Sequence, residues 1–423
     1  MNNSTTEEIF EAVTGDTADA PGLSDQAEAH EPGNFLRHVA ALSASKIADG
    51  LIDPKLVLSW LLTHLGAGAF WVGLLVPVRE AGALLPQLFT TPIITRQAIR
   101  KWFWAGGAFM QGAMAAGIVW AGLTLEGAAA GMTIVALLAV LALARSVCSA
   151  SYKDILGKTV ATSRRGTATG FASSAAAIGV ILFAVILLSG IGDRYALVIA
   201  AIALAACFWI AAATVFATLK EIPEQGEETG AAAQFTLLGE RPQLARFIIV
   251  RSLLVGTALA PPYLVMLQPD GAFGQLGALV LASAVAALLS SYVWGRLSDK
   301  SSRRVLQLSG LAGGAVLALV VVMEFLGLTA VWGVIPVMLF GLMIAYQGVR
   351  QGRSTHLVDM ADADDRAAYT ALSNTIVGLV LLGAGAAFAG LAALSVPLVI
   401  GLFALMCFSA AVIANGLDEV QGA

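Results

Sequence analysis

Five ionisable residues sit among apolar neighbours: Lys46, Asp49 and Asp53 in HVAALSASKIADGLIDPKLVLSWLL, and Arg79 with Glu80 in LLVPVREAGALLPQ. Lys46, Asp49 and Asp53 follow an i, i+3, i+7 spacing, so on a helix all three share one face. A carboxylate in such surroundings can neutralise a fixed cation or exchange a proton. Each charge placed in hydrocarbon costs roughly 2.5–3.5 kcal/mol on insertion-derived scales. The elements that carry these residues must therefore also bring partners to them.

Composition identifies those elements. Of 423 residues, 58% are hydrophobic and only 12% charged, with mean hydropathy +0.82, against about 25% charged in ordinary globular domains. Apolar windows of about 20 residues, long enough to cross a bilayer core, recur from residue 36 almost to the C-terminus. The expected fold is an all-α polytopic membrane protein with twelve transmembrane helices, centred near residues 49, 79, 112, 138, 177, 206, 256, 284, 315, 341, 379 and 405. Residues 1–34 carry eight acidic and no Lys or Arg side chains, which predicts a disordered acidic cytoplasmic tail. A basic start followed by an apolar stretch, as a secretory signal requires, is not found there.

Several chemistries are disfavoured. Cys148, Cys207 and Cys407 have neither disulfide nor zinc spacing, and His30, His38, His64 and His356 are scattered. No Gly-rich phosphate loop is present. No cofactor, metal, nucleic-acid partner or enzymatic activity is expected.

Basic residues set the orientation. Arg96, Arg100 and Lys101 follow the second span, Lys153, Lys158, Arg164 and Arg165 the fourth, and Lys220, Arg241 and Arg246 the sixth; Arg296, Lys300, Arg303 and Arg304 follow the eighth, and Arg353 and Arg366 the tenth. The opposite loops offer little beyond Arg194. The positive-inside rule places both termini in the cytoplasm, with the plasma membrane, the inner membrane of a bacterium, as the setting.

A repeat crosses the chain. The acidic, Gly/Pro-containing stretch 219–242 reads as a cytoplasmic linker between six-helix bundles at 35–218 and 243–416, with a short tail at 417–423. PIITRQAIRK (92–101) aligns without gaps on GRLSDKSSRR (295–304) at an offset of 203. Arg145 precedes Asp154 by nine residues, and Arg350 precedes Asp359 by nine, 205 residues on. Arg165 and Arg366 open the following helices at an offset of 201. Matches near one offset, each after an even-numbered span, indicate two pseudo-symmetric halves.

With these residues in view, the sequence resembles the major facilitator superfamily. GRLSDKSSRR resembles its cytoplasmic loop signature through Gly295, Leu297, Asp299, Lys300, Arg303 and Arg304, with Ser302 where Gly is usual; SRRG (163–166) resembles its loop between helices four and five. The resemblance implies a secondary transporter of a small-molecule solute that works by alternating access between two six-helix bundles, a monomer by default. It also implies a loop Asp that accepts hydrogen bonds at a neighbouring helix end and latches the outward-facing state. The first-half copy departs from the pattern, with Pro92 for Gly and Arg96 for Asp, which leaves the latch to the second half.

The charged cluster then has two readings. Asp49 and Lys46 lie at the depth of Arg79 and Glu80 on an antiparallel neighbour, so the charges can neutralise one another and fix helix register. Alternatively they line a central cavity, where Glu80 or Asp49, with Asp53 behind them, carries a coupling proton. Positions 79 and 80 are about 100° apart around a helix, so only one can fully face the first span. Pro54 predicts a kink. Arg251 is expected to face Lys46 across the cavity, with Gln347 one turn deeper than Arg350. Arg145, Asp154, Arg165, Gly295, Asp299, Lys300, Arg303, Arg304, Arg350, Asp359 and Arg366 make up the candidate cytoplasmic gate. The basic inner half of the cavity leans towards an anionic or zwitterionic solute; protons and the lipid bilayer are the other expected partners. A non-transporting sensor or assembly factor of the same fold is the competing class.

The topology has a direct test. In intact cells, Lys158→Cys and Arg303→Cys are expected to resist an impermeant thiol reagent while Arg194→Cys reacts. Labelling of either of the first two without permeabilisation would reverse the orientation.

Overall fold

The computed structural model describes residues 3–15, 23–223, 241–268, 275–361 and 366–421. Span one runs through Glu31–Leu51 and, after a break, Val57–His64; span two runs through Ala69–Leu84 and Gln87–Thr95. Spans three to six are Lys101–Thr124, Gly127–Thr159, Arg165–Leu188 and Arg194–Ala217. Span seven is split into Pro242–Leu253, Val255–Leu259 and Pro261–Met266. Spans eight to twelve are Leu276–Ser298, Ser302–Phe325, Val334–Met360, Arg366–Ala392 and Val396–Ala414.

Each of the expected centres falls within one of these helical spans. Ten of them, spans three to twelve, are long and apolar enough to cross a membrane among the described residues. Spans one and two fall outside that set, and the reason lies in the charged cluster. Span one breaks between Leu51 and Val57, around Pro54, where proline supplies no backbone donor. Span two carries Pro77 and the Arg79–Glu80 pair and is interrupted at Leu85 and Pro86.

Packing repeats between the halves. Span three packs on four and six, as nine packs on ten and twelve; two packs on four, as eight packs on ten. The halves meet where span two lies on eleven and, by the same symmetry, where eight lies on five. Small residues permit both approaches. A Cβ added at Gly73 would lie 2.9 Å from that of Ala389, and one added at Gly277 would lie 2.9 Å from that of Leu187.

The loops on the basic side repeat as well. The Arg165 guanidinium donates to the carbonyls of Val160 (2.9 Å) and Gly157 (2.7 Å), closing the end of span four. Arg366 does the same for span ten at Val358 (3.1 Å) and Ala361 (3.2 Å). Glu221, just after span six, accepts from the backbone N–H groups of Arg100 and Lys101 (2.7 Å for Lys101) at the start of span three. Gln421, after span twelve, accepts from the backbone N–H of Ser302 at 2.8 Å at the start of span nine. These acceptors satisfy helix-end donors that have no partner within the helix.

The first residues depart from expectation. Instead of a disordered tail, Asn3–Thr14 is a helix whose Phe10 packs edge-on against Phe35, ring centroids 5.4 Å apart, with the Arg164 guanidinium 5.0 Å from the Phe10 ring centre. Ile9, Phe10 and Val13 recur at helical spacing, and burial of Phe10 outweighs the local acidity. Residues 16–22 lie outside the described residues, as does 224–240, most of the expected linker.

Glu31 anchors this region. Its carboxylate accepts from the Arg164 guanidinium at 2.6 Å and from the Ala161 N–H at 2.9 Å, with side-chain exposures of 2% and 8% for Glu31 and Arg164. Neutralising Glu31 removes the anion from a buried pair, so Glu31→Gln is expected to lower stability by about 3–5 kcal/mol. Glu419→Gln, which loosens the half-exposed Glu419–Arg303 pair at 3.5 Å, is expected to cost at most about 1 kcal/mol. Thermal unfolding in detergent compares the two; equal shifts would remove Glu31–Arg164 as the anchor.

Candidate functional site

The break in span one leaves Asp49 in the last turn of its first helix, where three spans meet. Arg79 of span two donates to Asp49 Oδ1 at 2.7 Å, and Arg145 of span four donates to Oδ2. One carboxylate thus serves two guanidinium groups, each oxygen taking one. The expected meeting of Asp49 with Arg79 is realised, and Arg145 joins it from the set assigned to the gate.

Glu80 finds a different partner from the one expected. Its carboxylate lies 3.7 Å from the ammonium of Lys55, while Lys46 donates to Ser173 Oγ of span five at 2.6 Å. Lys55 lies inside the break, where Asp53 Oδ1 accepts its backbone N–H at 2.9 Å. That turn moves the chain off the helical register and swings Lys55 inward. The buried Lys55 ammonium also sits 3.7 Å from the centre of the Tyr346 ring of span ten, so it touches the other half. A cation over an aromatic face gains electrostatic attraction, more when desolvated. Sequence reasoning passed over Lys55; the available signal was a charge directly after an Asp-Pro pair inside an apolar run.

Arg251 is buried, but it does not lie against Lys46. Its guanidinium donates to Ser373 Oγ (2.6 Å) and Asn374 Oδ1 (2.8 Å) of span eleven. Glu80, Arg251, Tyr346, Arg350 and Arg353 border one small space between the halves.

Beside it opens a cavity of about 890 Å³. Span one contributes Asp53, span five Ser173 and Ser174, span eight Ser283, Ser291 and Trp294, and span ten Gln347, Arg350, Gln351, Arg353 and Ser354. Spans five and eight close one end, where Gly277 meets Leu187 and Leu188. The lining continues to Trp294 and Ser354, near the ends of spans eight and ten that carry the basic loops. The cavity therefore lies in the half of the molecule facing those loops.

No protein-family model and no curated protein matches the sequence. Solved structures do match. A mutant of the nucleoside transporter NupG is similar at TM-score 0.71 and 14% identity, over 91% of this chain and 100% of that one. A D-xylose–proton symporter is similar at TM-score 0.70 and 13% identity, over 92% of this chain and 99% of that one. The xylose transporter XylE from E. coli, in a partially occluded inward-open conformation, is similar at TM-score 0.66 and 11% identity, over 92% and 99%. This chain has the major facilitator fold.

Within that fold, the residues assigned to the gate do several separate jobs. Arg145 belongs to the central cluster, and Arg165 and Arg366 close helix ends. Asp154 pairs with Arg100, the residue before span three, and, at 3.4 Å, with Lys158. Asp359 accepts from the Gln421 side chain at 2.6 Å. Arg303 reaches Glu419 at 3.5 Å and the Leu417 carbonyl at 3.3 Å, and the Arg304 N–H is capped by Ser301 Oγ at 3.1 Å. Arg350 faces the cavity. Gly295 has open space around it, and Lys300 and Asp299 are exposed. Asp299 accepts no side-chain hydrogen bond or ion pair among the described residues, so the latch implied by GRLSDKSSRR is not engaged in this conformation.

The shared carboxylate predicts a graded response. Asp49→Asn is expected to destabilise by about 3–5 kcal/mol, because Arg79 loses its anion in a largely buried site. Asp49→Asn/Arg79→Gln recovers only part of this, since Arg145 is still unpaired, and adding Arg145→Gln recovers more. Thermal unfolding of the three variants measures it; complete recovery in the double variant would show that Arg145 contributes nothing.

Proposed function

We propose that this protein is a secondary active transporter that moves a small organic solute, anionic or zwitterionic, through the central cavity by alternating access, coupled to protons. The observation that carries the reading is the cavity itself: both halves line it, it is closed towards one side by spans five and eight, and Asp53 stands on one wall opposite Gln347, Arg350 and Arg353. At about 890 Å³ it falls in the range of small-molecule sites. The likeness to a D-xylose–proton symporter supports the class.

Among the carboxylates, Glu80 is the better proton carrier. Asp49 is gripped by two guanidinium groups, whereas among the described residues Glu80 has one ion-pair partner, Lys55 at 3.7 Å, which keeps its contact with Tyr346 if Glu80 loses its charge. Neutralising Glu80 therefore breaks fewer contacts, and it does so at a lysine that touches both halves. Such a position lets proton binding bias the equilibrium between conformations.

In proteoliposomes, Glu80→Gln is expected to remain folded and to exchange solute in counterflow, but to lose accumulation driven by a pH gradient, because a side chain that never ionises cannot link proton movement to conformation. Asp49→Asn is expected to lose stability instead. Gradient-driven accumulation by Glu80→Gln at the wild-type level would exclude Glu80 as the carrier.

A further inference from the structure

Two arginines line the space between the halves without an ion pair among the described residues, and one lysine reaches its edge through Ser173. Arg350 and Arg353 are three residues apart on span ten, which sets both guanidinium groups on the face that lines the cavity. Among the described residues neither makes a hydrogen bond or an ion pair; Arg350 has only the Tyr346 ring, 5.9 Å from its centre. On the opposite half, Lys46 donates to a neutral hydroxyl, Ser173 Oγ. Arg350 also lies within electrostatic reach of Lys46.

The neighbouring carboxylates are already committed. Asp49 holds Arg79 and Arg145, and Glu80 holds Lys55. Asp53 is the one carboxylate on the cavity wall among the described residues. Set against Lys46, Arg350 and Arg353, it leaves an excess of two positive charges. Unpaired cations in a partly dehydrated cavity are costly, and the planar guanidinium fork matches a pair of oxygens of a carboxylate or a phosphate.

We propose that the cavity binds a small organic dianion, a dicarboxylate or a phosphate monoester, held by Arg350 and Arg353 on one half and by Lys46 on the other. This rests on the transport reading above and narrows its solute. It also supplies a trigger for movement. With the cavity empty, Lys46 beside Ser173 on one half and Arg350 on the other carry like charge, which opposes approach of the walls. A dianion between them turns repulsion into attraction and favours approach of the two walls.

The test uses purified protein in nanodiscs, with titration calorimetry and thermal unfolding in succinate, ribose 5-phosphate, alanine or xylose at fixed ionic strength. At least one of the first two is expected to bind and to raise the melting temperature, and alanine and xylose to do neither; the pair also separates carboxylate from phosphate recognition. Arg353→Gln and Lys46→Gln are each expected to weaken dianion binding about ten- to hundredfold, as for loss of a charged hydrogen bond. Without solute, Arg353→Gln should shift the melting temperature far less than Asp49→Asn does, since it loses no hydrogen bond or ion pair among the described residues, only the longer-range attraction of Glu80. Binding of alanine or xylose that is unaffected by these substitutions would overturn the dianion and leave transport intact. Absence of binding by both dianions would overturn it too, and the counterflow measurement on the wild type decides separately whether transport survives.

Discussion

The constraint on which the rest of the structure depends is the pairing of one buried carboxylate, Asp49, with guanidinium groups from two other spans. Three charges in the apolar interior would together oppose insertion by several kcal/mol; brought into contact they form an ionic node that orders spans one, two and four. Packing by apolar side chains alone would be stable over a range of registers. The node is not, because a shift of one residue along span one turns the Asp49 carboxylate away from both arginines. Break, register and cavity wall follow from it: with Asp49 fixed, the turn at Ile52–Leu56 must deliver Asp53 to the cavity and Lys55 to Tyr346.

The second organising feature is repetition with altered chemistry. Arg165 and Arg366 close helix ends in the same way, and Glu221 and Gln421 supply acceptors to equivalent helix starts. The scaffold on the basic side is thus common to both halves. The membrane interior is not. Asp53 in the cavity and Glu80 in the small space beside it come from the first half, while the second half brings Arg350 and Arg353 to both and Arg251 to the latter, with no described carboxylate. The two halves share what ends helices and differ in what faces the cavity.

This contrast also explains what could be read from the sequence. Apolar windows located the spans because length and hydropathy are local properties, and equal depth on antiparallel neighbours was enough to bring Asp49 to Arg79. The partner of Glu80 was not legible: Lys55 lies beyond a break whose geometry no helical periodicity describes. Arg251 was misplaced because its partners, Ser373 and Asn374, are neutral residues 122 and 123 positions away and carry no charge pattern to announce them. The N-terminal helix was hidden by averaging, since eight acidic residues obscured the short Ile9, Phe10, Val13 spacing. The offset of 201 between Arg165 and Arg366 was visible, but their shared job of helix closure required the carbonyl positions.

The electrostatics divide the interface between the halves into two unlike zones. Where span two lies on eleven, small residues allow close contact, and Glu80 attracts both Lys55 beside it and the arginines of span ten opposite. Where span five faces eight and ten, the cavity lies between Ser173, which holds Lys46 of span one, and Arg350 of like charge. A pair of rigid halves attracted along one seam and repelled along the other has a natural hinge at the attractive seam. Glu80 lies at that seam, so losing its charge weakens the attraction, whereas filling the cavity with negative charge removes the repulsion. Charge at Glu80 and charge in the cavity thus bear on two different seams of one interface without direct contact between them.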